Sequence, residues 1–269
     1  KVFNAGANSQ WNNISWTSNA FGELPSNNII ETSFANGNIN MTGNMGLWHL
    51  NEAGGSIGDS SGNDQSGTYS GALYSQSGKI NTAIGFDGTT DYIDITIAIP
   101  STVTVSTWAK SSAPSSRQDM LWCMNNAGTG GPDLWFSSGN IYLNTWDGYN
   151  NPFCAQPANM EDWHHYVTVI SPSRTELYVD GALCGTATYR DPTRTSMAIS
   201  SSNGYDWQGD IDEFAIWNRT LSTEEILAVY KRGILKLNLS VQSCDDAACS
   251  GETWTDVNDT SIQTFTDYA

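Results

Sequence analysis

The chain has 269 residues, a formal charge of −17 and only 14% charged side chains, against roughly 25% in an average soluble domain. With only 11 Lys and Arg, it is poorly equipped to bind nucleic acid or anionic membrane surfaces, both of which are held through those residues. The acidic balance leaves divalent cations, an acidic exterior or plain solubility as its meaning.

At this length the chain accommodates one large β-sandwich with extra structure, or two small domains. No stretch approaches the roughly 20 consecutive apolar residues of a membrane span, and Lys1 opens no leader pattern, as expected of a mature or trimmed chain. From residue 46 the sequence breaks into short segments that alternate polar with apolar residues between Gly, Asn and Asp, the pattern of half-buried strands. Val103-Thr-Val-Ser-Thr-Trp-Ala109, Tyr166-Val-Thr-Val-Ile170 and Glu176-Leu-Tyr-Val179 are the clearest examples. The strand tryptophans Trp48, Trp108, Trp163 and Trp217 are expected in the core.

Asp180-Gly181 should turn Glu176–Val179 into Ala182-Leu-Cys-Gly185 as a type I′ hairpin, since both residues tolerate the positive φ this turn requires. Helical periodicity is clear only over Leu221 to Gly233, with Ser222 as N-cap, Glu225 three residues on, and Gly233 as the stop. The expectation is therefore an all-β fold with one short helix towards its C-terminal end.

Five cysteines, at 123, 154, 184, 244 and 249, favour an oxidising compartment and structural disulfides. Cys244 and Cys249 are close enough to clip a local loop and lack the spacing of a zinc ribbon. If 163–170, 175–180 and 182–189 are successive antiparallel strands, Cys184 and the loop before Trp163 lie at one end of the sheet. That favours Cys154–Cys184 and leaves Cys123 unpaired. Trp135, Trp146, Tyr149, Tyr205 and Trp207 fall in or beside polar Gly/Asn loops. Exposed rings there can stack on sugar faces or make subunit contacts.

An ordered set of segments resembles the laminin-G-like, concanavalin A-type jelly roll. Gly46–Glu52 is followed by Asp59–Asn63, Gly85–Gly88 by Tyr92–Ile95, and then Thr104–Trp108, Trp163–Val167, Leu177–Gly181 and Gly209–Ser222. The resemblance covers about 46–233 and implies two antiparallel sheets, with a concave face that relatives use for sugars and proteins. Residues 1–45, with Trp11-Asn-Asn-Ile-Ser-Trp16, and 234–269, with Leu235–Cys244 and Cys249–Trp254, resemble two pieces of a β-module of bacterial and archaeal surface proteins. The jelly roll is then an insertion in a split module too short to close, offering about four strands where a sandwich wants about seven. Either a neighbouring subunit adds the missing strands, giving self-association into a fibre or array, or the rest of a longer chain supplies them.

The same resemblance implies a structural calcium where the loop after the first strand meets the second-last strand, at Asp59 and Asp212. A Gly/Asn/Ser-rich loop such as Asp59–Asn63 can offer the oxygens calcium wants, and Asp59 can equally cap a turn. Glucanases of this fold use paired acids on one strand. Asp210 and Asp212 face one way here and Glu213 the other, and the glucanase order Glu-x-Asp-x-Glu is absent. His164 and His165 alternate on one strand and His49 lies on another, which suits packing more than metal binding. The sequence thus reads as a non-catalytic extracellular structural or adhesive protein. A carbohydrate-binding module is the alternative, and a glycoside hydrolase comes third.

Overall fold

The computed structural model describes residues 17–20, 40–71, 73–112, 119–124, 131–144, 151–200, 205–233, 235–241 and 255–257. The strands are β1 (Thr17–Ala20), β2 (Asn44–Trp48), β3 (Thr68–Ser70), β4 (Gln76–Ser77), β5 (Thr82–Asp87), β6 (Tyr92–Ile99), β7 (Val103–Ser111), β8 (Asp119–Met124) and β9 (Asp133–Ser137). They continue as β10 (Asn140–Asn144), β11 (Asn151–Ala155), β12 (His164–Ser171), β13 (Arg174–Val179), β14 (Ala182–Thr186), β15 (Arg194–Ser200) and β16 (Gln208–Trp217). Helix α1 (Thr223–Arg232), β17 (Leu235–Val241) and β18 (Thr255–Val257) follow.

The chain divides into two compact units, Gly22–Gly233 and Lys1–Phe21 with Ile234–Ala269. In the second, β1 pairs antiparallel with β17 and β17 with β18, so the two ends of the sequence share one three-stranded sheet. The larger unit is a sandwich of two antiparallel sheets. One has seven strands in the order β11-β10-β9-β8-β15-β6-β3. The other has eight, in the order β14-β13-β12-β7-β16-β5-β4, with β2 pairing the far half of β16.

Alternation decides what fills the space between the sheets. Ile93, Ile95, Ile97 and Ile99 of β6, Leu134 and Phe136 of β9, and Ile211, Phe214 and Ile216 of β16 all face inward with Trp48, Trp122 and Tyr166. Burying each such side chain stabilises the fold by roughly 1.5–3 kcal/mol. In β16 the parity breaks once. Glu213 has φ +51 and the register to β7 shifts between Asp212 and Ala215, so both acids leave the core before alternation resumes at Phe214.

The local signals fold as the sequence indicates. Asp180 and Gly181 have φ +52 and +77 between β13 and β14. Ser222 and Glu225 make the reciprocal capping box of α1. Gly233 ends the helix at φ −82, outside the left-handed region, and its missing side chain serves another purpose. A Cβ there would stand 2.3 Å from the Trp108 ring. Cys154 of β11 and Cys184 of β14 form a disulfide that ties an edge strand of one sheet to an edge strand of the other. Cys123 is free and buried. Cys244 and Cys249 lie outside the described residues.

Trp48 and Trp217 are buried as expected. Trp217, under α1, and Trp108, stacked on Tyr230 of α1, are buried on the outer side of the eight-stranded sheet. Trp163 is half-buried, with the Lys110 ammonium over its ring.

Candidate functional site

The two outer faces of the sandwich differ in chemistry. On the eight-stranded sheet, α1 packs Ile226 and Val229 over Leu47, Val167, Val169, Ala215 and Trp217. Beside that patch some polar side chains pair, while His165 Nδ1, Asp212 Oδ1 and Trp217 Nε1 are buried without a hydrogen-bond partner. His49 Nδ1 lies 2.9 Å from Glu213 Oε1, Ser106 Oγ lies 2.9 Å from His165 Nε2, and Lys110 Nζ pairs with Asp210 at 3.0 Å. His165 is pushed down to about 3 by burial, against the pull of Asp180, and is a neutral core histidine. The cavity lined by Ser106, His165, Glu213 and Arg232 has a volume of about 20 Å³, which is room for one water and not for a sugar ring.

This region holds the acids read from the sequence. Asp212 is fully buried, and its Oδ2 accepts the Ile80 N–H at 2.9 Å. Desolvation, and then the neighbouring Glu213, hold its carboxyl well above the usual carboxylate range. Asp210 is tied to Lys110, so Asp210 and Asp212 form no open pair astride a glycosidic bond. Asp59 lies in the loop after β2. Its Oδ1 accepts the N–H groups of Leu47 and Ser61, and its Oδ2 accepts the Gln65 N–H and the Ser61 hydroxyl. All four lone-pair directions therefore meet donors, which repel a cation and fit a turn. Asp59 does not fit as a calcium ligand, while Asp212 Oδ1 is buried without a hydrogen-bond partner. Among the described residues no three His, Cys, Asp or Glu side chains are disposed as metal ligands.

The outer face of the seven-stranded sheet mixes acids with a small buried cluster, Met120, Cys123 and Ala198, against which Trp135 packs. Register places Asp94 (β6) opposite Ala198 (β15), Ala198 opposite Cys123 (β8), and Cys123 opposite Asp133 (β9), in one lateral row. Neighbouring strands lie about 4.8 Å apart, so the two acids stand about 14 Å from each other with two small residues between them. Trp135 is next along β9 on the same face, directly opposite Tyr142 of β10. Its ring meets that of Tyr205 at 4.9 Å. Tyr205 is 40% exposed, while Trp135 and Tyr142 are half-buried. Asp206, bridged to Met120 of β8, brings a third carboxylate beneath this surface.

Burial raises the electrostatic stakes here. Asp133 is 3% exposed and its Oδ2 has no hydrogen-bond partner. Desolvation pushes its carboxyl up to about 8, with Arg194 opposing. Burial, with Asp133, Asp94 and Asp206 nearby, pushes the Cys123 thiol up and keeps it protonated.

Of the loop aromatics read from the sequence, Trp135 and Tyr205 come together on this face. Trp207 does not join them. It is fully buried, edge-on to Phe136 at 5.1 Å, with Nε1 donating to the Lys110 carbonyl at 3.2 Å, so neither ring face is open to a ligand. Trp146 and Tyr149 lie outside the described residues. The sequence reading missed Tyr142, Asp94, Asp133 and Asp206.

A sandwich of two antiparallel sheets of this size is a jelly roll. The chain belongs to the concanavalin A-like lectin/glucanases superfamily, whose family model matches residues 87–227. No curated protein matches it. Among solved structures it is similar to the botulinum neurotoxin serotype D binding domain, at 15% identity and a TM-score of 0.59 over 71% of this chain and 52% of that one. A serotype D ligand-binding domain in complex with N-acetylneuraminic acid gives 16% identity and a TM-score of 0.58, covering 72% of this chain and 51% of the other. Domain 4 of AbnA, an extracellular arabinanase from Geobacillus stearothermophilus in complex with arabinotriose, gives 17% identity and a TM-score of 0.54. That match covers 70% of this chain and 98% of the domain. The chain thus spans about half the length of the toxin structures, and at these identities the likeness is one of fold.

Proposed function

We propose that the jelly roll is a non-catalytic glycan-binding part of an extracellular or surface protein, with its site on the outer face of the seven-stranded sheet. The observation that carries this reading is the strip of Tyr142, Trp135 and Tyr205, partly exposed on the face that also holds the half-buried Asp94 three strands from Trp135. Rings of this kind stack on sugar faces while carboxylates take the hydroxyls. The carbohydrate complexes among the similar structures are consistent with such a use of the fold. An oxidising location agrees with the Cys154–Cys184 disulfide, and no helix among the described residues is long and apolar enough to cross a membrane. A glycan array probed with the full chain tests the reading. Binding to at least one glycan class that Trp135→Ala abolishes is the expected result, and an array blank for the wild type contradicts it.

A second reading, self-association by strand addition, rests on the small terminal sheet, whose edge strands β1 and β18 have only four and three residues. A sheet edge presents unpaired N–H and C=O groups on which a neighbour's strand can add, and the shortness of β1 and β18 works against it. Light scattering behind a sizing column distinguishes oligomers from a clean monomer, and the monomer would remove this reading.

A further inference from the structure

Strand register carries the aromatic strip beyond Tyr142, Trp135 and Tyr205. Tyr92 of β6 lies opposite Ser200 of β15, while Trp135 of β9 lies between Met120 of β8 and Tyr142 of β10. Ile199, next to Ser200, faces Trp122 of β8, and the bulge that follows turns Leu121 into the core and Met120 outward. Tyr92 and Trp135 therefore stand in one lateral row across the sheet. The Met120 N–H donates to the Tyr205 carbonyl at 2.8 Å, which sets the Tyr205 ring over the same row, 4.9 Å from that of Trp135. Tyr92 faces outward by the alternation that sends Ile93 and Ile95 into the core, and it is half-buried. Among the described residues the side chains of Tyr92 and Tyr142 have neither a hydrogen bond nor a ring contact within the protein. Beyond Tyr92 comes the exposed Ser70 of the edge strand β3, so the row is open at that side.

Resting on the glycan-binding reading above, we infer that this face takes an unbranched, neutral glycan chain laid across the strands, with Tyr92 as its far contact. Four strand spacings of about 4.8 Å separate β6 from β10, which puts Tyr92 about 19 Å from Tyr142. Rings so far apart cannot touch one sugar. A pocket for a terminal sugar gathers its groups around a single ring, whereas this row offers stacking surfaces in succession. Trp135, Tyr142 and Tyr205 form one station and Tyr92 a second, about 14 Å from Trp135, with the buried Ser200 and Met120 as the floor between them. The open side at Ser70 lets a longer chain run on, so the site needs no chain end. The formal charge of −17 works against a polyanionic chain.

The test is calorimetric titration of the full chain with ladders of linear oligosaccharides, disaccharide to hexasaccharide, built from β-1,4-glucose, β-1,4-xylose, β-1,4-mannose and β-1,3-glucose. In at least one ladder the hexasaccharide is expected to bind about tenfold tighter than the disaccharide, the gain from reaching a second ring. Tyr92→Ala should abolish that gain and leave the disaccharide affinity unchanged, while Tyr92→Phe, which keeps the ring, should retain it. Circular dichroism checks the fold of both variants, and the length dependence of the wild type stands without them. An affinity flat beyond the disaccharide, or a length dependence that a folded Tyr92→Ala leaves intact, would overturn the extended-chain site and leave the glycan reading standing. So would blank ladders beside an array positive for branched, terminal or charged glycans. Blank ladders together with a blank array would remove both.

Discussion

The outer faces of the two sheets carry polar groups to opposite ends. On the eight-stranded sheet His49 pairs with Glu213, Ser106 with His165 and Lys110 with Asp210, and α1 closes over the apolar remainder. On the seven-stranded sheet Tyr205 stands exposed, and Trp135 and Tyr142 are half-buried. Groups shut in under a helix are committed to the fold, and rings left partly exposed are available to a ligand. The acids that look catalytic in the sequence, Asp210, Asp212 and Glu213, lie on the eight-stranded side, with Asp212 fully buried.

Substitutions on the two faces should therefore separate stability from binding. Trp217→Ala removes a buried ring from under α1 and is expected to cost about 3–5 kcal/mol in urea unfolding without altering the ligand preferences of whatever remains folded. Trp135→Ala, half-buried on the other face, is expected to cost less than about 1.5 kcal/mol and to lose glycan binding. Equal stability costs at the two positions would break the contrast.

Removing the Cys154–Cys184 link is the next largest effect. With 30 residues between its ends, its loss should cost about 3.5 kcal/mol of chain entropy, measured on the Cys154→Ala, Cys184→Ala double variant. Because the link joins the edges of both sheets, both faces should loosen together at that end.

A smaller effect comes from His164. Its Nδ1 lies 2.7 Å from Asp180 Oδ2 and its Nε2 lies 3.1 Å from the Asn159 carbonyl. Both partners are acceptors, so both nitrogens donate only in the imidazolium form. The Asp180 hydrogen bond accordingly raises the histidine above 6.5 in spite of burial. The folded state holds this proton more tightly than the unfolded state. The stabilisation is therefore complete below pH 6.5 and is lost as pH rises through the higher folded value. About 1.5 kcal/mol, the worth of one charged hydrogen bond, should disappear from the wild type across that window, while His164→Phe shows a flatter profile. A wild type that gains stability over the same window would contradict the pairing.

The smallest expected effect concerns the metal. With every lone pair of Asp59 facing a donor, a chelator should move the melting temperature by less than about 1 °C, since only a ligand that binds the native state stabilises it. A fall of several degrees would reinstate calcium.

Local features of this fold were legible in the sequence because their causes are local. The capping box of Ser222 and Glu225, the positive φ of Asp180-Gly181 and the alternation of β6, β7 and β12 all follow from neighbouring residues. The Cys154–Cys184 pair followed from the order of three consecutive strands. Trp207 was legible too, by a signal given too little weight. It shares the parity of Ile211 ahead of β16, which places it in the core in spite of its polar neighbours. The acid row was not legible. Asp94, Ala198, Cys123 and Asp133 become neighbours through pairings between strands far apart in sequence, and no local pattern fixes that register. The turn role of Asp59 was one of two readings, and the direction of the Leu47 and Gln65 N–H groups, which only the fold sets, decides between them.

The most direct test of the account is nuclear magnetic resonance of the labelled full chain titrated with a glycan that it binds. The account predicts amide and ring shifts concentrated at Asp94, Cys123, Trp135, Tyr142 and Tyr205, with His49, Ser106, His165 and Glu213 unmoved. Shifts centred on His165 and Glu213, or on the residues around α1, would place the ligand on the other face and contradict it.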